Sequence, residues 1–412
     1  MADIRALYAD EDGNILDAPK GFQALARTGT DIIELSPDDL IPLPESADLM
    51  FLPDRLPLAK YGDEIMPIMG NAVAAILPAG YTRLYMPAFK KEDDAQMLPL
   101  YGYTAVVVYK DELYVAAMYT DENDKWDPAH YNTRNLHKLV KRVQKDLPDN
   151  RLVAHLGNCS LTWHCCTAQN LFYRRWEAGI PSSPVCNANC FGCISLQPAE
   201  CCPSPQSRIK FRPTPKEIAQ IGIYHLETAP DAIISFGQGC EGEPSLAVDN
   251  IVPAIEKIRK KTDKGQININ TNAGYTEGIK RIVDAGLDSM RVSIISAIPE
   301  NYKAYYRGSY ELDNVKESIR YAHEHGVHIS LNMLYFPGFN DSESEFKAWK
   351  EFLQENPVNM IQIRNLNIDP DAFAEIMPPF TKAIGTKEFI RQLHEEFPNI
   401  VIGNFSHYQK GE

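Results

Sequence analysis

The chain is expected to fold as α/β: a six-stranded partial (β/α) barrel behind a smaller N-terminal α+β domain. Three observations lead there. From about residue 209 onward, strand-like and helix-like segments alternate, which is the pattern of parallel strands joined by crossover helices. The strand-like segments carry polar residues at alternate positions, as a lumen-facing strand needs. The first 150 residues lack that alternation and show instead a hairpin and many prolines.

In the barrel region, Thr214-Pro215-Lys216-Glu217 is a capping box with proline at the first helical position. The helix it opens carries Ile218, Ile221 and Leu226. Ala232 to Gln238 is the next strand, followed by a helix with Val252, Ile255 and Ile258 at helical spacing. Gln266 to Asn272 is a strand, and Ile279, Ile282 and Val283 mark a helix that ends at Gly286. Ser289 to Ile295 is a strand, with Val315, Ile319 and Ala322 on the helix that closes at Gly326. His328 to Phe336 is a strand. Ser342-Glu343-Ser344-Glu345 reads as a second capping box, ahead of Phe346, Trp349, Phe352 and Leu353. Met360 to Leu366 is the last clear barrel strand, Phe389, Ile390, Leu393 and Phe397 give a final helix, and Ile400 to Ile402 adds a short strand. The first strand is placed at Arg151 to His155. About thirty residues then separate it from Cys186, with a helix expected through Leu171, Phe172, Arg175 and Trp176.

Before the barrel, Tyr103 to Tyr109 and Leu113 to Tyr119 flank Lys110-Asp111-Glu112 as a hairpin, and Tyr81 to Tyr85 is a further strand. Prolines punctuate Pro42 to Pro67, Asp121 to Asn132 is a polar connection, and Leu136 to Val143 is helical. Two domains follow: 1–150, an α+β unit, and 151–412, the barrel with a cysteine-containing insertion ahead of its main motif.

With 412 residues the chain can bury a large core, and its net charge of −14 without a basic block argues against a nucleic-acid partner. There is no apolar run of membrane-spanning length and no secretory stretch behind Met1, so a cytoplasmic protein without a membrane partner is expected. Its nine cysteines are clustered and odd in number, which favours metal binding over a disulfide framework.

The central motif is Cys186, Cys190 and Cys193, spaced by three and then two residues. Three thiolates can hold one corner of a [4Fe–4S] cube that usually takes four, leaving an iron open to a ligand. A second motif, Phe236-Gly237-Gln238-Gly239-Cys240-Glu241-Gly242-Glu243-Pro244, ends the second strand. Together they resemble the radical S-adenosylmethionine (SAM) superfamily over residues 185 to 405.

The resemblance implies a partial (β/α)6 radical SAM barrel, a [4Fe–4S] cluster on Cys186, Cys190 and Cys193, and SAM chelating the open iron. It implies an enzyme that cleaves SAM with one electron from an external reductant. The resulting 5′-deoxyadenosyl radical would abstract hydrogen from a substrate not identified by sequence: a peptide, a small metabolite or a partner enzyme. Gly242-Glu243-Pro244 matches the family's Gly-Glu-Pro that receives the SAM amino group, and Gln238 belongs to the same loop. Two departures stand out. Gly192 occupies a place often aromatic in the family, with Phe191 before it, and Glu241 replaces a common glycine. The family also suggests that a polar residue of the fourth strand, here Ser293, contacts SAM; the alternative is an ordinary buried hydroxyl bonded to backbone.

Asn268, Asn270 and Asn272 share one strand face and should point into the barrel. They either bond one another and water, or Asn270 and Asn272 meet SAM or substrate. Arg291 is a SAM or substrate partner, or part of a structural ion pair. Asn332, Gln362 and Arg364 are further substrate candidates. Arg364 would hold an anion, because a guanidinium inside a barrel is costly unless paired; the alternative is a salt bridge to a barrel carboxylate. Tyr305, Tyr306 and Arg307 are placed in a loop after the fourth strand that could cap the adenosyl group. An auxiliary cluster could be built from Cys159, Cys165, Cys166, Cys201 and Cys202, against the default of inert buried thiols. No cysteine follows Cys240, so the cysteine-rich extension that carries extra clusters in many peptide-modifying members is not expected; no Asp-x-His-x-x-Gly motif and no preceding cobalamin fold are seen, so a corrinoid-dependent methyltransferase is disfavoured. The N-terminal domain or the Cys159–Cys166 segment is expected to recognise substrate or form a lid. The competing readings are a non-catalytic iron–sulfur electron-transfer protein and a zinc-binding module.

Overall fold

In a computed structural model, residues 3–122, 124–197 and 208–409 are described. The barrel is a row of seven parallel strands in chain order: Glu177–Gly179, Ile233–Phe236, Gln266–Thr271, Ser289–Ile294, His328–Tyr335, Met360–Asn365 and Val401–Gly403. Among the described residues the two end strands do not pair with each other, so the sheet is an open, partial barrel. Strands two to six, the short terminal strand and the helices between them fall where the sequence placed them. The capping box at Thr214 forms in full, and Gly286 follows its helix with φ of 112°.

The first strand is a correction. Arg151 to His155 is helical, the opening turn of Arg151–Thr162. Asn150 caps it, its Oδ1 accepting from Leu152 N at 3.0 Å and Val153 N at 3.3 Å, which leaves the strand assignment no backbone groups to pair with. The strand is Glu177–Gly179, whose alanine and glycine are fully lined up beside Ile234 and Ser235. Arg175 and Trp176 consequently lie outside the helix Cys166–Tyr173, which ends on Arg174 in the left-handed conformation. Ser342 does cap its helix, but Glu345 does not reach back; its carboxylate accepts instead from Ser296 Oγ at 2.5 Å and Asn301 Nδ2 at 2.6 Å. Tyr305 and Tyr306 belong to the last turn of the helix Pro299–Tyr306 rather than to a loop, with Arg307 as its left-handed C-cap.

The N-terminal part is β-rich, a 13-stranded antiparallel sheet assembly over residues 4–115. Its Thr104–Tyr109/Glu112–Val115 hairpin turns through Lys110 and Asp111, both at positive φ, the two-residue turn that matches strand twist. Leu136–Asp146 is an α-helix whose Leu136, Val140 and Val143 join the barrel's core.

The N-terminal part packs on the C-terminal end of the sixth barrel strand, through a separate two-stranded sheet that carries Arg83 and through Arg55 of the larger assembly. Arg83 donates from Nη2 to Leu366 O at 2.8 Å, and its N–H donates to Asn365 Oδ1 at 2.9 Å. Arg55 pairs with Asp369 at 2.9 Å, both side chains 1% exposed. Asp369 also accepts from Leu98 N, and its other oxygen caps the helix Pro370–Ile376. Among the described residues, no helix is long and apolar enough to cross a membrane.

His225, fully buried in the helix Pro215–Thr228, ties that helix to the first strand through Nε2 and Trp176 O at 2.7 Å. Burial pushes its pKa down to about 4. The unfolded chain, near 6.5, therefore binds more protons between pH 6.5 and 4, so stability is present above about 6.5 and drains away as pH falls through that window. The full effect is about 3 kcal/mol. Urea midpoints at pH 7 and pH 4.5 should differ more for the native protein than for His225→Gln. Equal differences would show that His225 does not set the acid limit.

Candidate active site

The segment that carries the three cysteines is short and pinned on both sides. Gly242 N donates to Ser183 O at 2.7 Å and Glu243 N to Val185 O at 2.9 Å, laying the loop after the second strand against the residues before Cys186. The approach is so close that a Cβ on Gly242 would stand 2.0 Å from Val185 O, which only glycine avoids. On the other side, Asn189 N and Phe191 N donate to Tyr306 O and Tyr305 O, and Arg307 Nε donates to Asn189 O at 2.9 Å.

The result is one cavity of about 250 Å³. Cys186, Cys190 and Cys193 line it, with Gln238, Gly242 and Glu243 from the second-strand loop. Asn270, Asn272 and Ser293 come from the next strands, and Tyr305 and Tyr306 form a wall. Pro244 is buried behind Glu243 at the start of a 3-10 turn. Residues from five separate segments thus meet at the C-terminal ends of the strands, where parallel barrels gather ligands.

Burial pushes the Cys186 and Cys190 thiols up. Thiols raised in this way become thiolates when a cationic centre takes them as ligands, and with Cys193 they put three sulfurs on one cavity, the donor set of a cluster with an open position. Arg208 stands by with Nη2 3.7 Å from Cys193 Sγ. Asn270 offers the sign of a missing ligand: its Oδ1 accepts from Asn268 Nδ2 at 2.8 Å, while its own buried Nδ2 has no partner among the described residues. Asn272 donates to Asn187 Oδ1 at 2.7 Å and so ties the third strand to the cysteine segment. Asn268 lies deeper, bonded to Ser235 and Ser289, a structural role. The cavity, the three thiols and the orphan donor fit a [4Fe–4S] cluster with SAM.

Two acids shape the loop. Glu243 accepts from Ser245 N at 3.1 Å, Thr271 Oγ1 at 2.5 Å and Asn272 N at 2.9 Å, and burial raises its pKa against those bonds. Glu241, the family departure, is the more connected. Its Oε1 accepts from Gly237 N and Gln238 N, and its Oε2 from Ser182 N, Ser183 N and the Ser182 hydroxyl, at 2.6–2.9 Å. Burial pushes its pKa up to about 7, while the five donors favour the charged form. Glu241 therefore braces the first-strand loop to the second, a role that sequence reading missed; the cue was an acid beside three glycines, whose free N–H groups need an acceptor.

The other departure has a steric cause. A Cβ on Gly192 would lie 2.4 Å from the Tyr305 hydroxyl oxygen. Tyr305 fills from the helix side the space that an aromatic at 192 would take, while Phe191 turns away under the Arg307 guanidinium at 5.6 Å.

The substrate candidates sit further along the sheet. Asn332 Nδ2 donates to Ser293 Oγ at 3.3 Å. Arg291 Nη1 donates to Gln362 Oε1 at 3.3 Å and Ser406 Oγ at 3.2 Å, and Arg364 Nη1 donates to Asn404 O at 2.6 Å. Neither guanidinium forms an ion pair among the described residues, and Arg291 Nε is buried without a partner there. Burial lowers both pKa values, Arg364 to about 10, with Arg291 adding repulsion and Glu177 the compensating attraction. Arg364 lines a second cavity of about 140 Å³, between the barrel and the N-terminal sheet, that also takes in Arg83, Asn365 and Asn404.

Of the auxiliary set, Cys159 is buried and stands beside Cys240 and His155, Cys165 is bonded to Cys159 through the backbone, and Cys166 faces His164 O at 3.9 Å. Cys201 and Cys202 lie outside the described residues.

Residues 180–349 match the family model described as the radical SAM superfamily. Over 162 residues the chain is 32% identical to an uncharacterised protein of Methanocaldococcus jannaschii, covering 38% of this chain and 47% of that protein. It is 29% identical over 167 residues to a GTP 3′,8-cyclase of Limosilactobacillus fermentum, covering 38% and 45%. The chain thus spans about half the length of the curated relatives it matches. Among solved structures, a radical SAM methyltransferase from Sphaerobacter thermophilus aligns with a TM-score of 0.40 at 13% identity, over 81% of this chain and 77% of that one.

Proposed function

We propose, on the premise that this chain belongs to the radical SAM superfamily through residues 180–349, that it cleaves SAM reductively and turns the product on an anionic substrate. The observation that carries the reading is the single cavity shared by Cys186, Cys190, Cys193 and the Gly242-Glu243-Pro244 loop. A [4Fe–4S] cluster and SAM are the cofactors of such a domain, and when bound they supply a 5′-deoxyadenosyl radical that abstracts hydrogen.

The chain's own residues do the positioning. Cys186, Cys190 and Cys193 would hold the cluster. Glu243 and its loop, together with Gln238, Asn270, Asn272 and Ser293, would orient SAM, with the free Asn270 Nδ2 as a donor to it. Tyr305 and Tyr306, buried against the cavity, keep water from it. The electron must come from an external one-electron reductant, and an oxygen-sensitive cluster suits a cytoplasmic setting.

The substrate reading rests on charge. Arg364 and Arg83 face one cavity without a carboxylate partner among the described residues, which suits a carboxylate or phosphate. Arg83 comes from the N-terminal domain, which gives that domain a part in substrate recognition. The GTP 3′,8-cyclase relative acts, by its name, on a nucleotide, itself anionic. Arg291 and Gln362 bond each other and Asn332 bonds Ser293, but none of the three lines either cavity, so they come second to Arg364 and Arg83 as substrate contacts.

Anaerobic incubation of reconstituted protein with SAM and dithionite should release 5′-deoxyadenosine; no release with an intact cluster would end the proposal. Compounds then consumed from a small-molecule extract should carry a carboxylate or phosphate. Arg364→Met and Arg83→Met should each lower kcat/KM for the consumed compound by about 30- to 1000-fold, as loss of a buried charge contact does. Substrate-free SAM cleavage should stay within a few-fold. A parallel fall in both activities would place the arginines in the scaffold instead. Deleting residues 1–145 is a poorer test, since it strands Asp369 without Arg55.

A further inference from the structure

Outside the cavity, one cluster of donor atoms stands apart. Among the described residues, His155, Cys159 and Cys240 form the trio of His, Cys, Asp or Glu side chains whose ligand atoms all lie within 4.8 Å of one another. Cys159 and Cys240 are 3% and 4% exposed. His155 and Cys159 are four residues apart on the helix Arg151–Thr162, so they project from one face of it. Cys240 comes from the loop after the second strand, between Gly239 and Glu241, and its carbonyl is held by Ile209 N at 2.7 Å.

The spacing is that of ligands around one ion. With a metal–sulfur bond of about 2.3 Å and a metal–nitrogen bond of about 2.05 Å at the tetrahedral angle, sulfur and nitrogen stand about 3.6 Å apart. Cys159 Sγ and His155 Nε2 are 3.6 Å apart. Phe211 packs edge-on against the imidazole, with ring centroids 6.3 Å apart, and helps fix its plane. Two thiolates with an imidazole are the donors that zinc prefers, and a fourth protein ligand would make the site structural. Cys165 is the neighbouring cysteine, its N–H donating to Cys159 O at 3.1 Å, but its thiol is not among the three donor atoms that lie within 4.8 Å of one another.

We infer that His155, Cys159 and Cys240 hold a zinc ion that fastens the helix Arg151–Thr162 to the loop carrying Glu241, Gly242 and Glu243. This site is separate from Cys186, Cys190 and Cys193 and does not depend on the SAM reading. It differs from an auxiliary cluster built on Cys159, Cys165, Cys166, Cys201 and Cys202, because it takes in His155 and Cys240 and shares only Cys159 with that set.

The test uses the full chain with the other motif silenced. The Cys186→Ala/Cys190→Ala/Cys193→Ala protein, purified without oxygen, should bind one equivalent of added zinc. Adding Cys159→Ser and Cys240→Ser should remove that equivalent. Cobalt in place of zinc should show the thiolate charge-transfer and tetrahedral bands of a mixed sulfur–nitrogen site. No tight zinc, iron–sulfur absorption after incubation with iron and sulfide, or a Cys159–Cys240 disulfide in peptide maps would each overturn the inference. If the silenced protein fails to fold, zinc X-ray absorption on unaltered, cluster-reconstituted protein decides. A shell of sulfur and imidazole nitrogen supports the site, and a shell without sulfur or an absence of zinc overturns it.

Discussion

Alanine at Cys190 is expected to reduce 5′-deoxyadenosine formation to the level of an enzyme-free control. Cys190 is a mostly buried thiol on the wall of the cavity shared with Gly242 and Glu243. Three thiolates leave no spare: a cube held at three corners becomes one held at two. Cys240 is no replacement, because its thiol packs with Cys159 and His155 away from the cysteine segment. The segment itself should keep its shape, since it is held by backbone bonds from Asn189, Phe191, Gly242 and Glu243 rather than by the thiol. Iron and sulfide content should therefore fall together with activity while the far-ultraviolet circular dichroism stays the same. Undiminished SAM cleavage by the alanine variant would remove Cys190 from the cluster.

The second large effect is on stability. Asp369→Ala should cost about 3–5 kcal/mol, the range for breaking one side of a buried ion pair. The loss leaves Arg55, 1% exposed, without its carboxylate, and Leu98 N and the start of the helix Pro370–Ile376 without their acceptor. Part of the guanidinium remains satisfied by Pro53 O and Gln96 O, which keeps the expectation within that range. Asp369→Asn should cost less, because an amide oxygen can still accept from the helix N–H groups. Glu388→Ala, which removes an exposed partner of Arg391, should leave the urea midpoint nearly unmoved. Equal midpoints for Asp369→Ala and the native protein would mean that Arg55 finds other partners on relaxation.

The parts of the fold that were legible in sequence are those where local chemistry and tertiary packing ask for the same residues. Asn268, Asn270 and Asn272 alternate with Ile267 and Ile269, so one strand announces its lumen face, and Thr214-Pro215-Lys216-Glu217 announces a helix start. The first strand was hidden for two reasons. Glu177-Ala178-Gly179 is too short and too small to show a period. Arg151 to His155 is apolar enough to pass for a strand, although Asn150 as a cap and the helical spacing of Leu152, Leu156 and Cys159 gave the better reading. The three thiols and the Glu243 loop that meet in one cavity belong to two motifs. What did not follow was contact between distant segments: Glu241 on Ser182 and Ser183, Tyr305 against Gly192, and Cys240 beside Cys159. Such pairings depend on how the strands stack, and a period of two or 3.6 carries no information about them.

The Tyr305–Gly192 contact has an evolutionary corollary. The volume beside Gly192 is occupied once, either from the cysteine segment or from the helix Pro299–Tyr306, and never from both. Changes at 192 and 305 should therefore be coupled: a bulky residue at the first position would be tolerated only after the second has shrunk, and a lineage could pass the ring from one backbone to the other only through an intermediate with a hole beside its cofactor.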